Sequence, residues 1–133
     1  MIVDTSALLA VFFEEPEAED FARTVARAEV SRISAANLLE AGIVADSQTD
    51  PRTGRQLDAL VANFHLRIEP VTEEQVRIAR QACVDFGRGK HPAKLNFGDC
   101  FAYALAKATG EPLLFMGDDF AQTDIKAYRS PGG

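Results

Sequence analysis

Short apolar runs alternate with segments of helical periodicity along this chain, and that alternation restricts the folds open to it. The apolar runs lie at residues 1–4, 30–33, 66–71 and 113–116. Between them, apolar residues recur three and four positions apart, as in 57–64, which predicts amphipathic helices. Parallel strands need such crossover helices, and the helices then cover both faces of the sheet. The pattern therefore predicts an α/β protein built on a parallel sheet.

Polar residues mark where several of these helices begin. Asp4 and Ser34 each follow an apolar run and can cap the next helix. A later helix is expected from Asp99 to about residue 108. The tail is expected to add an edge strand near Tyr128.

The length and composition fit one domain that spans residues 1–133. Apolar residues make up 47% of the chain, which is typical of a folded globule. No apolar run approaches the roughly 20 residues that cross a bilayer, and no basic segment precedes Asp4, so we expect neither a membrane span nor a signal peptide. The expected location is the cytoplasm. Cys83 and Cys100 fit that compartment as small apolar residues that need no disulfide.

Four acidic motifs follow apolar runs or lie early in helices, and they point to function. They contain Asp4, Glu40, Asp99 and the pair Asp118 and Asp119. The carboxyl ends of parallel strands and the adjoining helix starts line one crevice, so acids that are distant in sequence can meet there. Several carboxylates in one crevice cannot all ionise without a cation between them. The usual occupant of such an oxygen site is Mg²⁺ or Mn²⁺.

Each acid also has an ordinary structural explanation. Asp4 and Asp99 stand where helices begin and can serve as caps. Glu40 can be a surface residue in the second turn of its helix. Asp118 and Asp119 follow a glycine, where a turn is expected in any case. The joint pattern, rather than any single acid, predicts the metal site.

A basic loop leads directly into the third acidic motif. Residues 86–98 carry Arg88, Lys90 and Lys94 without any acid, so the remainder of a chain of net charge −6 sums to −9. The overall charge argues against a general nucleic-acid coat protein. A local +3 segment beside a metal site, however, can hold a phosphate backbone. The alternative is a solvated loop after a helix.

The motifs together resemble those of the PIN-domain ribonucleases, and among them the VapC toxins of bacterial toxin–antitoxin pairs. The similarity covers essentially the whole chain and rests on Val3–Ala7, Ser34–Glu40, Leu95–Cys100 and Leu114–Phe120. It implies a three-layer α/β/α sandwich with a central, mostly parallel sheet. It also implies hydrolysis of RNA phosphodiester bonds with Mg²⁺ or Mn²⁺ as cofactor.

By matching motif, Asp4, Glu40 and Asp99 take the positions of the family's metal-site acids. The fourth position is open between two adjacent residues: Asp118 is favoured because it comes first after the strand, and Asp119 competes with it. We expect Asp4 and Asp99 to hold the ion. Glu40 and the fourth acid then complete its shell mostly through waters, since Mg²⁺ dehydrates reluctantly.

Three polar residues of the same motifs are candidates for orienting these acids. They are Thr5 or Ser6 in the first motif and Asn96 in the third. Neither histidine stands in an acidic motif, so a catalytic base is not expected at His65 or His91.

The resemblance also implies partners. A VapB-type antitoxin would lie across the acidic groove with a basic side chain, which suits the net charge of −6. RNA is the expected substrate. A homodimer or a toxin–antitoxin hetero-oligomer is expected, and some of the apolar residues in 8–13 can serve an interface, although core packing accounts for most of them.

Two other functions fit parts of the pattern. A haloacid dehalogenase-like phosphohydrolase would use Asp4 as a nucleophile, but it expects a second Asp two residues later, where this chain has Ser6. A non-catalytic module would only bind a partner or RNA. Such a module has no need of a buried carboxylate cluster, which is costly to keep without a cation.

Overall fold

The computed structural model describes residues 1–49, 53–89 and 91–128, which form four strands, six α-helices and one 3₁₀ turn. The strands are β1 (Ile2–Val3), β2 (Arg32–Ser34), β3 (Arg67–Glu69) and β4 (Leu113–Leu114). The helices are α1 (Thr5–Phe12), α2 (Ala18–Arg27), α3 (Ala35–Asp46), α4 (Thr53–Asn63), α5 (Glu73–Phe86) and α6 (Phe97–Thr109), and the 3₁₀ turn is Phe120–Gln122. Strands and helices follow one another as the apolar runs predict.

The four strands form a parallel sheet in the order β3-β2-β1-β4. Ile2 of β1 pairs with Arg32 on one side and with Leu113 on the other. The strand predicted near Tyr128 is reduced to a single parallel bridge, in which Ala127 lies against Leu113 on the outer edge of β4. Because all the pairs are parallel, the carboxyl ends of the strands lie along one edge of the sheet.

Successive strand residues point to opposite faces and separate two hydrophobic clusters. Ile2 and Leu113 pack with α5 and α6 on one face. Val3 and Leu114 pack with α1, α2, α3 and α4 on the other. This arrangement is a three-layer α/β/α sandwich, which confirms the predicted fold class.

Polar side chains begin the helices that follow the strands. Ser34 Oγ accepts the N–H of Ala36 at 3.3 Å at the start of α3, as expected. Helix α6 begins at Phe97, two residues before the predicted start, because Asn96 rather than Asp99 occupies the cap position. None of the helices in the described ranges is long and apolar enough to cross a membrane.

Candidate active site

The first acidic residue lies directly after β1, where it caps α1. Asp4 is 2% exposed, and its Oδ2 accepts hydrogen bonds from the N–H and the Oγ of Ser6, at 3.0 and 2.5 Å. Its other oxygen, Oδ1, is buried and has no hydrogen-bond partner among the residues that the structure describes. A buried carboxylate oxygen without a donor is unusual in a folded protein and fits a ligand for a cation.

The surroundings of Asp4 disfavour its charged form. Burial is the main cause and raises the pKa of Asp4 to about 7, although the two hydrogen bonds from Ser6 oppose the shift. The charges of Asp99 and Glu40 raise the pKa further. These two acids are therefore electrostatic neighbours of Asp4, as the sequence predicts for one crevice.

Asp99 lies in the first turn of α6 and is half-buried. Its N–H donates to Asn96 Oδ1 at 2.9 Å, and its Oδ2 accepts the Asn96 N–H at 3.0 Å, which makes a complete capping box. Burial raises the pKa of Asp99, the Asn96 hydrogen bond lowers it, and the charges of Asp119 and Glu40 raise it. The predicted contact between Asn96 and Asp99 thus exists and fixes one carboxylate oxygen.

Glu40 reaches this cluster from the second turn of α3. Its carboxylate lies against Gly98 of α6, so closely that a Cβ on Gly98 would overlap it. The second and third motifs are therefore in direct contact. Only glycine at position 98 leaves room for the carboxylate.

Asn37 joins three of the motifs, and the sequence analysis did not identify it. Its side chain is 1% exposed, and Nδ2 donates to the Gly98 carbonyl at 3.0 Å. The backbone carbonyl of Asn37 accepts a hydrogen bond from the Thr5 hydroxyl at 3.1 Å. The sequence offers one sign of this role, a polar residue among the Ala and Leu residues of 35–41. Thr5 is thus linked to Asn37 rather than to Asp4.

The fourth motif approaches through the backbone of Met116, whose N–H donates to Ser6 Oγ at 3.0 Å. Ser6 therefore connects Asp4 to the end of β4. Gly117 follows with a φ of 90°, a conformation that favours glycine, and the chain turns into the two exposed acids. Of these, Asp119 is among the groups whose charge raises the pKa of Asp99.

The basic loop lies beside the acids at one point. The charge of Arg88 lowers the pKa of Asp99, opposing the nearby acids. Arg88 and Lys94 are exposed and line an open depression of about 660 Å³ together with His91. Lys90 lies outside the described residues.

Neither histidine joins the acidic cluster. His91 Nδ1 accepts the Ala93 N–H at 3.0 Å, and its ring packs edge-on against Phe86. His65 belongs to the turn before β3, where it has a φ of 51°.

The donors of this cluster suit a hard divalent ion. They are carboxylates, one with a buried free oxygen, and the charge of Glu40 raises the pKa of both Asp4 and Asp99, as like charges without a cation do. Among residues 1–49, 53–89 and 91–128, no group of three or more His, Cys, Asp or Glu side chains is arranged so that it could hold a metal ion.

Comparison with known families agrees with this geometry. The PIN domain family matches residues 1–126 of the chain. The chain belongs to the PIN-domain family. Within that family it is similar to Ribonuclease VapC28 of Mycobacterium tuberculosis, with 54% identity over 127 residues that cover 95% of this chain and 96% of the relative. Ribonuclease VapC42 of the same species is 45% identical over 95% of this chain and 97% of its own. The chain thus belongs to the PIN-domain family and is similar to VapC ribonucleases, as the motifs indicate.

Two solved structures share the fold at low sequence identity. A crystal structure of VapC20 from Mycobacterium tuberculosis, a Sarcin-Ricin loop cleaving toxin, superposes with a TM-score of 0.77 at 18% identity, covering 97% of this chain and 98% of the other. A toxin–antitoxin complex from Klebsiella pneumoniae gives a TM-score of 0.69 at 17% identity and covers 92% of each chain. These matches support the sandwich fold, and the family assignment removes the haloacid dehalogenase alternative.

Proposed function

We propose that residues 1–133 act as one PIN-like unit, a metal-dependent endoribonuclease that serves as the toxin of a VapBC-type pair. The observation that carries the proposal is the buried Asp4 carboxylate, whose Oδ1 has no hydrogen-bond partner among the described residues and whose neighbours include Asp99 and Glu40. Such a group is costly in a protein that never binds a cation.

The proposed cofactor is Mg²⁺, with Mn²⁺ as an alternative. Bound there, the ion lowers the pKa of a coordinated water and neutralises charge that develops on the phosphate. Asp4 Oδ1 and the Asp99 carboxylate would be its protein ligands. Glu40 would contact it mainly through water, because Mg²⁺ usually keeps several waters in protein sites.

The polar residues of the motifs would orient the carboxylates of these ligands. Ser6 donates twice to Asp4 Oδ2, so the other oxygen remains available. Asn96 occupies one oxygen of Asp99 in the same way. Thr5 acts less directly, through the carbonyl of Asn37.

The fourth acid remains a choice between two adjacent residues. Asp118 comes first after β4 and Gly117, and this position in the sequence favours it. The charge of Asp119 affects Asp99, which supports Asp119 instead. We assign the fourth position to Asp119 and keep Asp118 as its matched comparison.

RNA would approach the acids across the basic loop. Arg88 has an electrostatic influence on Asp99 and lines the same depression as Lys94, so a phosphate held by these two side chains would lie next to the metal acids. Lys90 is proposed for the same surface from its place in the sequence. Cellular RNA as substrate makes the cytoplasm the proposed place of action.

The proposed protein partner is a VapB-type antitoxin with a basic segment. Net charge of −6 and an acidic cluster attract such a segment, and one of the similar structures is a toxin–antitoxin complex. A homodimer or a hetero-oligomer with the antitoxin is proposed as the assembly. In 8–13, Leu8 is buried while Phe13 is exposed, so Phe13 is the residue of that group most available to a partner.

The direct test is cleavage of total cellular RNA by purified, antitoxin-free protein in Mg²⁺, in Mn²⁺ and in EDTA. Discrete fragments are expected with either metal but not with EDTA, and not with Asp99→Asn, whose carboxamide keeps the size of the side chain without its charge. Asp118→Asn and Asp119→Asn form the matched pair: the second should lose at least about ten-fold in rate and the first little.

The outcomes separate the alternatives. Equal losses in the two fourth-motif variants would contradict the assignment of Asp119 alone. If wild type and Asp99→Asn leave the RNA equally intact in both metals, the chain is a non-catalytic binding module. Mapping the fragment ends identifies the RNA and the cleavage site.

A further inference from the structure

Two cysteine thiols meet directly behind the acidic cluster. Cys83 is in the last turn of α5, and Cys100 follows Asp99 in α6. Their sulfur atoms are 2.6 Å apart, and both residues are free cysteines. That separation is closer to the about 2.05 Å of a disulfide bond than to the spacing of two side chains that merely pack.

Core packing explains why these residues are buried but not why their sulfurs touch. Cys100 is 2% exposed within the cluster formed by α5 and α6, and Cys83 packs against that cluster. A cysteine used only as a small apolar residue can place its sulfur against any carbon. Here each sulfur lies against the other one, although the two residues are 17 positions apart.

The backbone around the pair holds the two thiols in position. Leu95 N–H donates to the Phe86 carbonyl at 2.9 Å, and Arg88 N–H donates to the Leu95 carbonyl at 3.1 Å. Gly87 turns the chain so tightly at the end of α5 that a Cβ there would overlap the Cys83 carbonyl. The base of the basic loop is therefore closed without any help from the sulfurs, and little rearrangement separates the dithiol from a disulfide.

We propose that Cys83 and Cys100 are a redox modification site, which a low-molecular-weight disulfide such as oxidised glutathione converts reversibly into an intramolecular disulfide. Cys83 is the more accessible thiol and reacts first: its sulfur gives up its proton and attacks one sulfur of the oxidant, the oxidant's S–S bond breaks, and one glutathione leaves as a thiol that takes up this proton. The sulfur of Cys100 then attacks Cys83, releases the second glutathione thiol and gives up its proton. Two protein thiols are oxidised, and one oxidant molecule is reduced to two thiols.

The bridge would fasten the metal-site helix to its neighbour. It would close a loop that contains Arg88 and Lys94 and that ends at the residue after Asp99. In the oxidised protein, the first turn of α6 can no longer separate from α5. The proposal concerns these sulfurs alone and stands whether or not the nuclease assay succeeds.

The test compares oxidation of folded and unfolded protein. Reduced full-length protein is equilibrated with mixtures of oxidised and reduced glutathione, with and without urea, then quenched, alkylated and weighed as an intact chain by mass spectrometry. The chain has 2 cysteines, so the disulfide form carries no alkyl group and the reduced form carries one on each. Because a loop of this length restricts the unfolded chain, the oxidation equilibrium constant should be roughly a hundred-fold larger in the folded protein.

A matched variant keeps both thiols but separates them. The double substitution Cys83→Ser with Val84→Cys moves one thiol to the adjacent, exposed position on α5, and it should lose the preference for oxidation in the folded state. Circular dichroism checks that this variant is folded. Equal oxidation constants for wild type in buffer and in urea would overturn the proposal. So would accumulation of a glutathione adduct on Cys83 without closure.

Discussion

The acidic cluster depends on the lack of a side chain at position 98. Gly98 gives the Glu40 carboxylate its place, and the carbonyl of Gly98 accepts the Asn37 amide. The glycine is not required by its backbone angle, since it lies within a regular helix. Space for the carboxylate is the physical reason for glycine at this position.

Gly98→Ala should therefore separate metal affinity from stability. The added methyl displaces the flexible end of Glu40, and Mg²⁺ affinity should fall roughly ten-fold, as it does when a supporting contact is lost. Metal-free stability should not fall, because alanine is favoured over glycine inside a helix by about 0.5–1 kcal/mol. Isothermal titration with Mg²⁺ and urea unfolding measure the two quantities.

Gly42→Ala is the control for that experiment. Gly42 also lies in a helix, α3, and a Cβ built on it meets nothing within 4 Å. This variant should gain similar stability and keep the Mg²⁺ affinity of wild type. A Gly98→Ala protein that binds Mg²⁺ as tightly as Gly42→Ala would contradict the packing argument.

The ends of the helices are set by the local backbone conformation and its hydrogen bonds. Helix α6 ends at Thr109 and is capped by Gly110, which has a φ of 72° and whose N–H donates to the Ala106 carbonyl. An L-residue with a side chain is strained in that left-handed region. The end of α6 matters because β4, and after it the fourth acidic motif, follow immediately.

Gly110→Ala should destabilise the protein by about 1 kcal/mol, whereas Gly42→Ala should stabilise it by about 0.5–1 kcal/mol. The same chemical change thus has effects of opposite sign on stability, because Gly110 has a positive φ and Gly42 does not. Urea unfolding of both variants measures the difference. Changes of the same sign would show that the left-handed cap does not limit stability.

Local rules explain how much of the fold the sequence predicts. Apolar periodicity and polar caps indicate every helix and strand of the sheet, because those signals act within a few residues. The start of α6 was predicted too late because Asn96 and Asp99 can both cap, and only the hydrogen bonds decide between them. The order of the strands follows from contacts that no local pattern contains.

In the candidate site, too, the sequence predicts what local motifs contain and misses contacts between distant residues. The sequence predicts that Asp4, Glu40 and Asp99 come together, and the charges of Glu40 and Asp99 do raise the pKa of Asp4. It does not reveal Asn37, whose importance lies in partners 32 and 61 positions away. The contact between the two cysteines, 17 positions apart, is likewise absent from any local pattern.

In the metal-free protein, the negative charge of Asp4 destabilises the folded state. Asp4 titrates near 3.8 in an unfolded chain, but burial raises the pKa of the folded protein's Asp4 to about 7. The folded state therefore binds the proton more tightly than the unfolded state. Between these values stability falls as pH rises, and above about pH 7 the loss is complete.

Across that pH window, the free energy of unfolding of metal-free wild type should fall by up to about 1.4 kcal/mol per pH unit relative to that of Asp4→Asn. Asparagine can still accept from Ser6 but carries no charge, so it removes this dependence. Urea unfolding at about pH 5 and about pH 8 measures the free energy of unfolding of both proteins. The value for Asp4→Asn minus the value for wild type should be larger at the higher pH. Saturating Mg²⁺ should restore wild type at the higher pH and leave Asp4→Asn unchanged. A pH-independent difference would place the pKa of Asp4 near its ordinary value.

The sheet order has a consequence for dividing the molecule. The segment through α3 supplies the two central strands with Asp4 and Glu40, while the segment from α4 onward supplies both outer strands with Asp99, Asp118 and Asp119. Neither fragment holds a complete set of acids. The two fragments must pair along two strand edges, β3 with β2 and β4 with β1. Two separately expressed fragments would thus be inert alone and would regain cleavage on complementation, which makes this fold a natural two-part reporter of molecular proximity.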